Sequence, residues 1–295
     1  MKFTKMHGCS NDYIYINCFE ETVADMGAFA KEFSDRHKGI GSDGAIFICP
    51  SDTADCEMKM YNADGTYSEM CGNGIRCVAK YVYDNALVDS REMRILSGGQ
   101  VRNIRVETGN ERVNDITGKS FSRRADGLAV NKVRVDMGEP VLEPYRIPVM
   151  FSDAAESVIG HDLYVGDANY KVTCVSMGNP HCVIKVDDVD KIPIGELGPL
   201  FENHVCFPNR INTEFVQITG RTDIRMRVWE RGTGETLACG TGACASVVAC
   251  ILNGETDDRV CVHLRGGDLD IFWDRGNDNH VYMTGGAVTV FEGEV

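Results

Sequence analysis

The chain has 295 residues, 43% hydrophobic and 25% charged, which is the composition of a soluble globular protein with room for two domains of ordinary size. Its 30 basic and 44 acidic residues give a formal net charge of −14, which disfavours a general binder of nucleic acid or anionic membrane, since such affinity comes from basic patches. The opening MKFTKMHGCSND lacks an apolar signal core, and the longest nearly apolar stretch, Cys244 to Leu252, is too short to span a bilayer, so cytoplasmic residence is expected.

In chain order, Met1–Thr4, Tyr13–Asn17, Ala45–Cys49, Cys56–Tyr61 and Val101–Glu107 read as strands, being short and rich in β-branched or alternating apolar residues. Val23–Phe33 and Ile75–Asp84 carry apolar residues at helical spacing. Residues 111–126 are the most polar stretch and read as a surface excursion near a domain boundary. Strand patterns resume at Val130–Val135, Tyr170–Ser176, Cys182–Val186, Glu214–Ile218 and Ile224–Trp229, then at Val260–Leu264, Leu269–Trp273 and Val281–Val290. Glu196–Glu202 reads as a short helix, and Ala243–Leu252 as one buried on all sides.

The 13 cysteines are odd in number and never spaced Cys-x-x-Cys, which speaks against a disulfide framework, a zinc ribbon or a thioredoxin-like pair. Two of them stand apart. Cys71-Gly72-Asn73-Gly74 and Cys239-Gly240-Thr241-Gly242 repeat one turn at an offset of 239 − 71 = 168 residues. At that offset Met58 matches Met226, Lys59 matches Arg227 and Tyr61 matches Trp229. The repeat implies an α+β chain of two pseudo-symmetric domains, each a curved, mainly antiparallel β layer or barrel around a central helix. Residues 1–129 form the first half and 130–284 the second, and the last strand, 285–295, is a candidate to join the first.

A thiol takes a proton from carbon only as thiolate, and a free cysteine titrates near ~8.5. A helix N-terminus favours the anion, and Asn73 and Thr241 are both N-cap residue types. The neighbouring amides can also hold a substrate carboxylate. A tight entry into a buried helix would explain one such turn; two in matched settings point to two thiols facing one substrate in an interdomain cleft. Cys77, Cys244 and Cys250 lie inside the helix patterns and read as structural. Asn11, Asn62, Asn179 and Asn212 sit at turns or strand ends, where asparagine is often only a turn former. Glu230 precedes Cys239 by nine residues, as Asn62 precedes Cys71, so each half places a polar side chain at one distance from its thiol.

Seven motifs in order resemble the diaminopimelate epimerase family. They are His7-Gly8-x-x-Asn11-Asp12, Asn62-Ala63-Asp64-Gly65, Met70-Cys71-Gly72-Asn73-Gly74-x-Arg76-Cys77, Met177-Gly178-Asn179-Pro180-His181, Asn209-Arg210-Ile211-Asn212, Trp229-Glu230-Arg231-Gly232-x-Gly234-Glu235-Thr236 and Ala238-Cys239-Gly240-Thr241-Gly242. The resemblance implies a homodimeric epimerase that interconverts LL- and meso-diaminopimelate without cofactor or metal. It makes Cys71 and Cys239 the base and acid. Gly72, Asn73, Gly240 and Thr241 would bind the reacting carboxylate, and Glu230 the adjacent amino group. Asn62, Asn179, Asn212 and Arg231 would hold the distal end, Asn11 would line the cleft, and His181 and Glu230 would bias the thiols. Relatives often carry glutamine at the position of Gly44, so no contact is inferred there.

Proline and hydroxyproline racemases are the nearest rivals. They typically have histidine after the first Cys-Gly, where this chain has Asn73, and aspartate and proline before the second, where it has Thr236-Leu237-Ala238. A non-catalytic amino-acid-binding or thiol-redox protein is the alternative from another class.

Overall fold

The computed structural model describes residues 1–110, 120–151 and 156–295, so most of the polar stretch expected as a surface excursion, 111–119, lies outside the described residues. The chain divides into two compact units: Met1–Asp136 with Thr284–Val295, and Met137–Met283.

The first unit is built on β1 (Lys2–Gly8), β2 (Asn11–Asn17), β3 (Gly44–Cys49), β4 (Cys56–Asn62), the short β5 (Tyr67–Ser68), β6 (Glu92–Ser97), β7 (Gln100–Asn110) and β8 (Leu128–Asp136). Neighbours pair antiparallel, except that β2/β3 and β4/β6 are parallel. Two helices cover the sheet: α1 (Met26–Phe33) and α2 (Gly72–Asp84). Strand β3 is buried along its whole length because it is covered on both faces. Ala45, Phe47 and Cys49 join Phe29 and Ala30 of α1 in one apolar cluster. The alternate residues, Ile46 and Ile48, point the other way, and Ile46 lies under the start of α2.

The second unit repeats the plan with β9 (His161–Val165), β10 (Ala168–Ser176), β11 (Pro180–Lys185), β12 (Asn212–Ile218), β13 (Asp223–Glu230), β14 (Gly234–Thr236), β15 (Arg259–Leu264) and β16 (Gly267–Trp273). Again two pairings are parallel, β11/β12 and β13/β15, and the others antiparallel. The helix α3 (Ile194–Glu202) covers one face, with Phe201, Phe215, Cys182 and Ile184 in its core, and α4 (Gly240–Leu252) covers the other. Helices α2 and α4 are both 13 residues long and start 168 residues apart (240 − 72). Both sheets are curved layers that do not close into barrels among the described residues.

Several expectations change in detail. Strand β8, read from sequence as the opening of the second half, pairs with β7 and belongs to the first unit. The single strand expected at Val281–Val290 is two, β17 (Val281–Gly285) and β18 (Val288–Glu294), broken at Gly286-Ala287; β18 pairs with β1. Helix α1 starts three residues later than its pattern because the Asp25 carboxylate caps it, accepting from the Ala28 N–H at 2.9 Å. Strands β6 and β9 escaped detection because their charged outer positions break up short apolar runs.

The helix pattern of α2 suggests one wet face, yet 11 of its 13 residues are buried, as are 11 in α4. The polar members of α2 are therefore paired inside the protein. Lys80 donates to Asp84 at 2.5 Å and to the Val130 carbonyl at 3.0 Å, while Asp84 accepts from the Val130 N–H at 2.9 Å. These bonds lock α2 onto β8. Lys80→Met should cost about 3–5 kcal/mol, because it strands a buried carboxylate, which exceeds the loss of the pair itself. Urea denaturation measures this, and a loss under about 1 kcal/mol would show that the pair is not structural.

Candidate active site

Each Cys-Gly-x-Gly turn is a helix start, and the cysteine itself is the N-cap. Cys71 is extended (φ −139°, ψ 114°) and its sulfur accepts from the Gly74 N–H at 3.3 Å. Cys239 has nearly the same conformation (φ −130°, ψ 114°) and accepts from the Gly242 N–H at 3.4 Å. Asn73 and Thr241 lie two positions inside the helix and are not the caps expected from their residue types. Sulfur takes the place of the usual cap oxygen, so a free amide of each helix end is spent on the thiol. The glycine at the fourth position of each turn leaves room for a neighbouring side chain, which a larger residue would displace. A Cβ on Gly74 would sit 2.6 Å from Ile46 Cδ1, and one on Gly242 would sit 2.7 Å from Glu214 Oε1.

Around Cys71 the thiol donates to Asn11 Oδ1 at 3.3 Å, and Asn73 Nδ2 reaches the same oxygen at 3.5 Å. Asn11 is held from behind by Asp43 at 2.7 Å. The Arg36 guanidinium in turn joins Asp43 and Asp12, each at 2.8 Å. Arg76, wholly buried one turn into α2, donates to the Gly72 carbonyl at 3.0 Å and to Asn73 Oδ1 at 2.9 Å. Asn62 does not join this group; its amide donates to Thr66 Oγ1 at 3.0 Å. A Cβ on Gly44, the register partner of Asn62, would lie 2.1 Å from the Tyr61 carbonyl oxygen, so a side chain there demands a different local backbone.

Around Cys239, Thr241 Oγ1 stands 3.5 Å from the sulfur. Glu230 is half-buried at the end of β13 and accepts from Thr236 Oγ1 at 2.5 Å. His181 is completely buried, with Nδ1 2.7 Å from Glu214 Oε1 and Nε2 3.0 Å from Asn179 Oδ1. Asn212 uses both ends of its amide, donating to the Pro180 carbonyl at 2.8 Å and accepting from the Arg231 N–H at 2.9 Å. It thereby fixes the loop on which Arg231 stands, exposed, with its guanidinium on the Asn209 carbonyl at 3.0 Å.

Two neighbours of the thiols were missed by sequence reasoning. Tyr13 is buried against Cys71, and burial followed by the nearby thiol pushes its phenol pKa well up, making it a weaker acid. Glu214 is buried beside His181, and its Oε2 has no hydrogen-bond partner among the described residues. The signal that reveals both is the 168-residue offset. It carries Asn11 onto Asn179, Tyr13 onto His181, Ile46 onto Glu214, Asn62 onto Glu230 and Asn73 onto Thr241. Strand alternation gives the same answer for Glu214, since it shares a face with Asn212 two residues earlier.

The matched positions differ in charge, and the thiols differ accordingly. Burial raises Cys71 above the ordinary thiol range, opposed by the Gly74 amide, Tyr13, the Asn73 amide and the Arg76 guanidinium. Burial raises Cys239 much further, reinforced by the Glu230 and Glu214 carboxylates and opposed by Thr241 and the Gly242 amide. The helix-end amides therefore act in the expected direction but do not outweigh desolvation in the ligand-free protein. Glu230 is itself raised by burial, against the hydrogen bond from Thr236. Cys77 and Cys250, deep in their helices, are pushed by burial to about 11 and about 12 and have no part in this group.

The fold is shared with solved proteins of several activities. A phenazine biosynthesis protein of the PhzF family from Bacillus anthracis superposes with a TM-score of 0.64 at 15% identity, over 100% of this chain and 98% of its own. A hydroxyproline epimerase from Agrobacterium vitis gives 0.64 at 12%, over 100% and 90%. At such identities the likeness speaks for the architecture alone. Sequence is more discriminating. The diaminopimelate epimerase of Agathobacter rectalis is 52% identical over 100% of this chain and 99% of that protein. That of Acetivibrio thermocellus is 51% identical over 100% and 98%. The family profile described as diaminopimelate epimerase matches residues 3–121 and 173–290, spanning both sulfur-capped turns. With both turns, their asparagines and the Glu230-Arg231 loop inside a full-length match, the chain belongs to the diaminopimelate epimerase family.

Proposed function

We propose that this chain interconverts LL- and meso-diaminopimelate, serving lysine and peptidoglycan precursor synthesis, with Cys71 and Cys239 as its two acid–base groups. The observation that carries the assignment is the pair of sulfur-capped helices, alike in length, backbone and cap distance. One thiolate takes the α-proton, forming an S–H bond as the C–H bond breaks. The other thiol then delivers its proton to the opposite face of the same carbon. The electron pair left on carbon spreads into the adjacent carboxylate, which becomes a dianion. Backbone N–H groups of Gly72, Asn73, Gly240 and Thr241 at the two helix ends oppose that charge, which they do best with water excluded. Glu230 takes the substrate ammonium at the reacting centre. Asn62, Asn179, Asn212 and Arg231 serve the distal ammonium and carboxylate, whose binding energy distinguishes this substrate from proline or alanine.

In the ligand-free protein Cys71 is the readier thiolate. It has a buried guanidinium for a neighbour, whereas Cys239 has two carboxylates. We assign the resting base to Cys71 and the resting acid to Cys239, with the roles exchanged in the reverse direction. Glu230 and Glu214 set that order, with His181 bound to Glu214 at 2.7 Å, and none of the three touches the carbon. The chain acts in the cytoplasm as a homodimer, with neither nucleic acid nor membrane as partner. The charge of −14 speaks against a nucleic-acid or anionic-membrane partner, and among the described residues no helix is long and apolar enough to cross a bilayer.

Incubation with LL-diaminopimelate in deuterium oxide should place deuterium at one α-carbon without added cofactor. NMR reads the exchange, and a strict need for pyridoxal phosphate would sink the mechanism. Cys71→Ala and Cys239→Ala should each abolish epimerisation in a folded protein, whereas Cys250→Ala should only lower stability, by about 1 kcal/mol.

Iodoacetamide should label Cys71 ahead of Cys239, as peptide mapping will show. Glu214→Gln removes a negative charge beside Cys239 and so favours its thiolate. The pH profile for alkylation of Cys239 should then move to lower pH, while that of Cys71 stays in place. An unmoved Cys239 profile would mean that Glu214 does not govern this thiol.

Arg231→Met should weaken substrate binding by about 2–5 kcal/mol by leaving the distal carboxylate unpaired. Isothermal titration with the inactive Cys239→Ala protein as background separates binding from turnover. An unchanged affinity would remove Arg231 from the site.

A further inference from the structure

The outer face of the second sheet holds a separate cluster of metal-ligating side chains. Strands β13 and β15 pair in parallel, with Asp223 opposite Cys261 and Arg225 opposite His263. The residues between them, Ile224 and Val262, are fully buried, so Asp223, Cys261 and His263 share the opposite face. Their ligand atoms all lie within 4.8 Å of one another. The group is far from the chemistry. Glu230 stands seven residues along β13 from Asp223, about 23 Å at ~3.3 Å per residue.

The geometry assigns to Asp223, Cys261 and His263 a zinc(II) site. His263 Nδ1 is 2.9 Å from Asp268 Oδ1, the carboxylate contact that orients a metal-binding imidazole and leaves Nε2 as the ligand atom. Nε2 in turn stands 3.3 Å from Asp223 Oδ1. Bonds of about 2.0–2.3 Å in a tetrahedron place ligand atoms ~3.3–3.7 Å apart, so this pair already has the required spacing. With Nδ1–H turned to Asp268, the neutral ring presents the Nε2 lone pair to the Asp223 carboxylate, a pair of donors that a metal cation bridges in place of the proton of the imidazolium form. Cys261 supplies a thiolate from the neighbouring register position, and its sulfur closes on the metal by rotation about χ1. Thiolate, imidazole and carboxylate together suit zinc in preference to magnesium or calcium. A water completes the tetrahedron, since the site faces solvent. The sheet backbone presets the spacing: the Cys261 N–H donates to the Thr222 carbonyl at 2.8 Å, and the Thr222 hydroxyl holds the second oxygen of Asp223 at 2.6 Å. The metal ties β13 to β15 and takes no part in proton transfer.

Cobalt(II), a spectroscopic stand-in for zinc, tests the site on the reduced, metal-free full-length chain. One equivalent should give a thiolate-to-cobalt charge-transfer band and the visible absorption of a tetrahedral ion, and zinc should displace both. Cys261→Ser should lose the charge-transfer band, and His263→Gln should weaken cobalt binding at least tenfold. Cys71→Ala should keep the wild-type spectrum, which separates this site from the catalytic thiols. Zinc should raise the melting temperature of the wild type and leave that of Cys261→Ser unchanged. A band that survives in Cys261→Ser, or no band at all in the wild type, overturns the assignment. The latter result would mean that a proton alone fills the gap. Epimerase activity of Cys261→Ser, measured in parallel, reports that the variant is folded.

Discussion

Sulfur at a helix N-cap is the constraint around which both halves are organised. An N-cap must lie where the chain turns from strand to helix, and its side chain must face the first free amides. A thiol placed there is fixed to within a rotamer and cannot turn to solvent without giving up the cap. The helix behind it must then be immobile, which accounts for the burial of α2 and α4 on nearly every side. The two helices meet this demand by different means. In α4 the buried positions are almost all apolar or small, so dispersion and desolvation suffice. In α2 the buried positions include Arg76, Lys80 and Asp84, and each charge has to be satisfied by a specific partner.

That difference in building material has a chemical consequence. At the 168-residue offset Arg76 falls on Cys244, Ile46 on Glu214 and Tyr13 on His181. The first thiol thus sits over an aliphatic side chain with a guanidinium alongside. The second sits over a carboxylate clamped to an imidazole. The glycine that closes each turn makes room for whichever neighbour is present, Ile46 in one half and Glu214 in the other. Duplication supplied the frame, and substitution at three framed positions made its two thiols electrostatically unequal.

Much of this was legible in the sequence because the repeat is local. Within each turn the cysteine and both glycines keep their identity, Cys71, Gly72 and Gly74 matching Cys239, Gly240 and Gly242, and helix starts are signalled by residue type within a few positions. The supporting face was harder to read. Glu214 and Tyr13 reach the thiols from strands whose pairing with distant strands decides which side chains face the helix. Placing the strand start at Glu214 instead of Asn212 hid the alternation that groups them. The capping role of the cysteines was also hidden, since Asn73 and Thr241 are the better caps by propensity. Burial of α2 could not be read from its composition, because Lys80 and Asp84 look like a solvated pair until β8 covers them. The net direction of the thiol shifts depends on the same burial, which no motif records.

An enzyme that works in both directions limits how unequal the thiols can be. A difference of one pKa unit costs about 1.4 kcal/mol to invert, so each further unit makes the disfavoured protonation state of the pair about tenfold rarer unless substrate binding compensates. The ligand-free protein departs from equality in a definite sense, with Cys239 the more strongly disfavoured anion. The charges responsible for that bias are the ones a substrate ammonium would neutralise. A cation delivered to Glu230 would cancel the stronger of the two carboxylates that oppose the Cys239 thiolate. Binding of the amino acid itself therefore narrows the gap between the thiols. On the proposed assignment this accounts for the acidic Glu230 beside Cys239, where on its own a carboxylate would only make the thiolate scarcer.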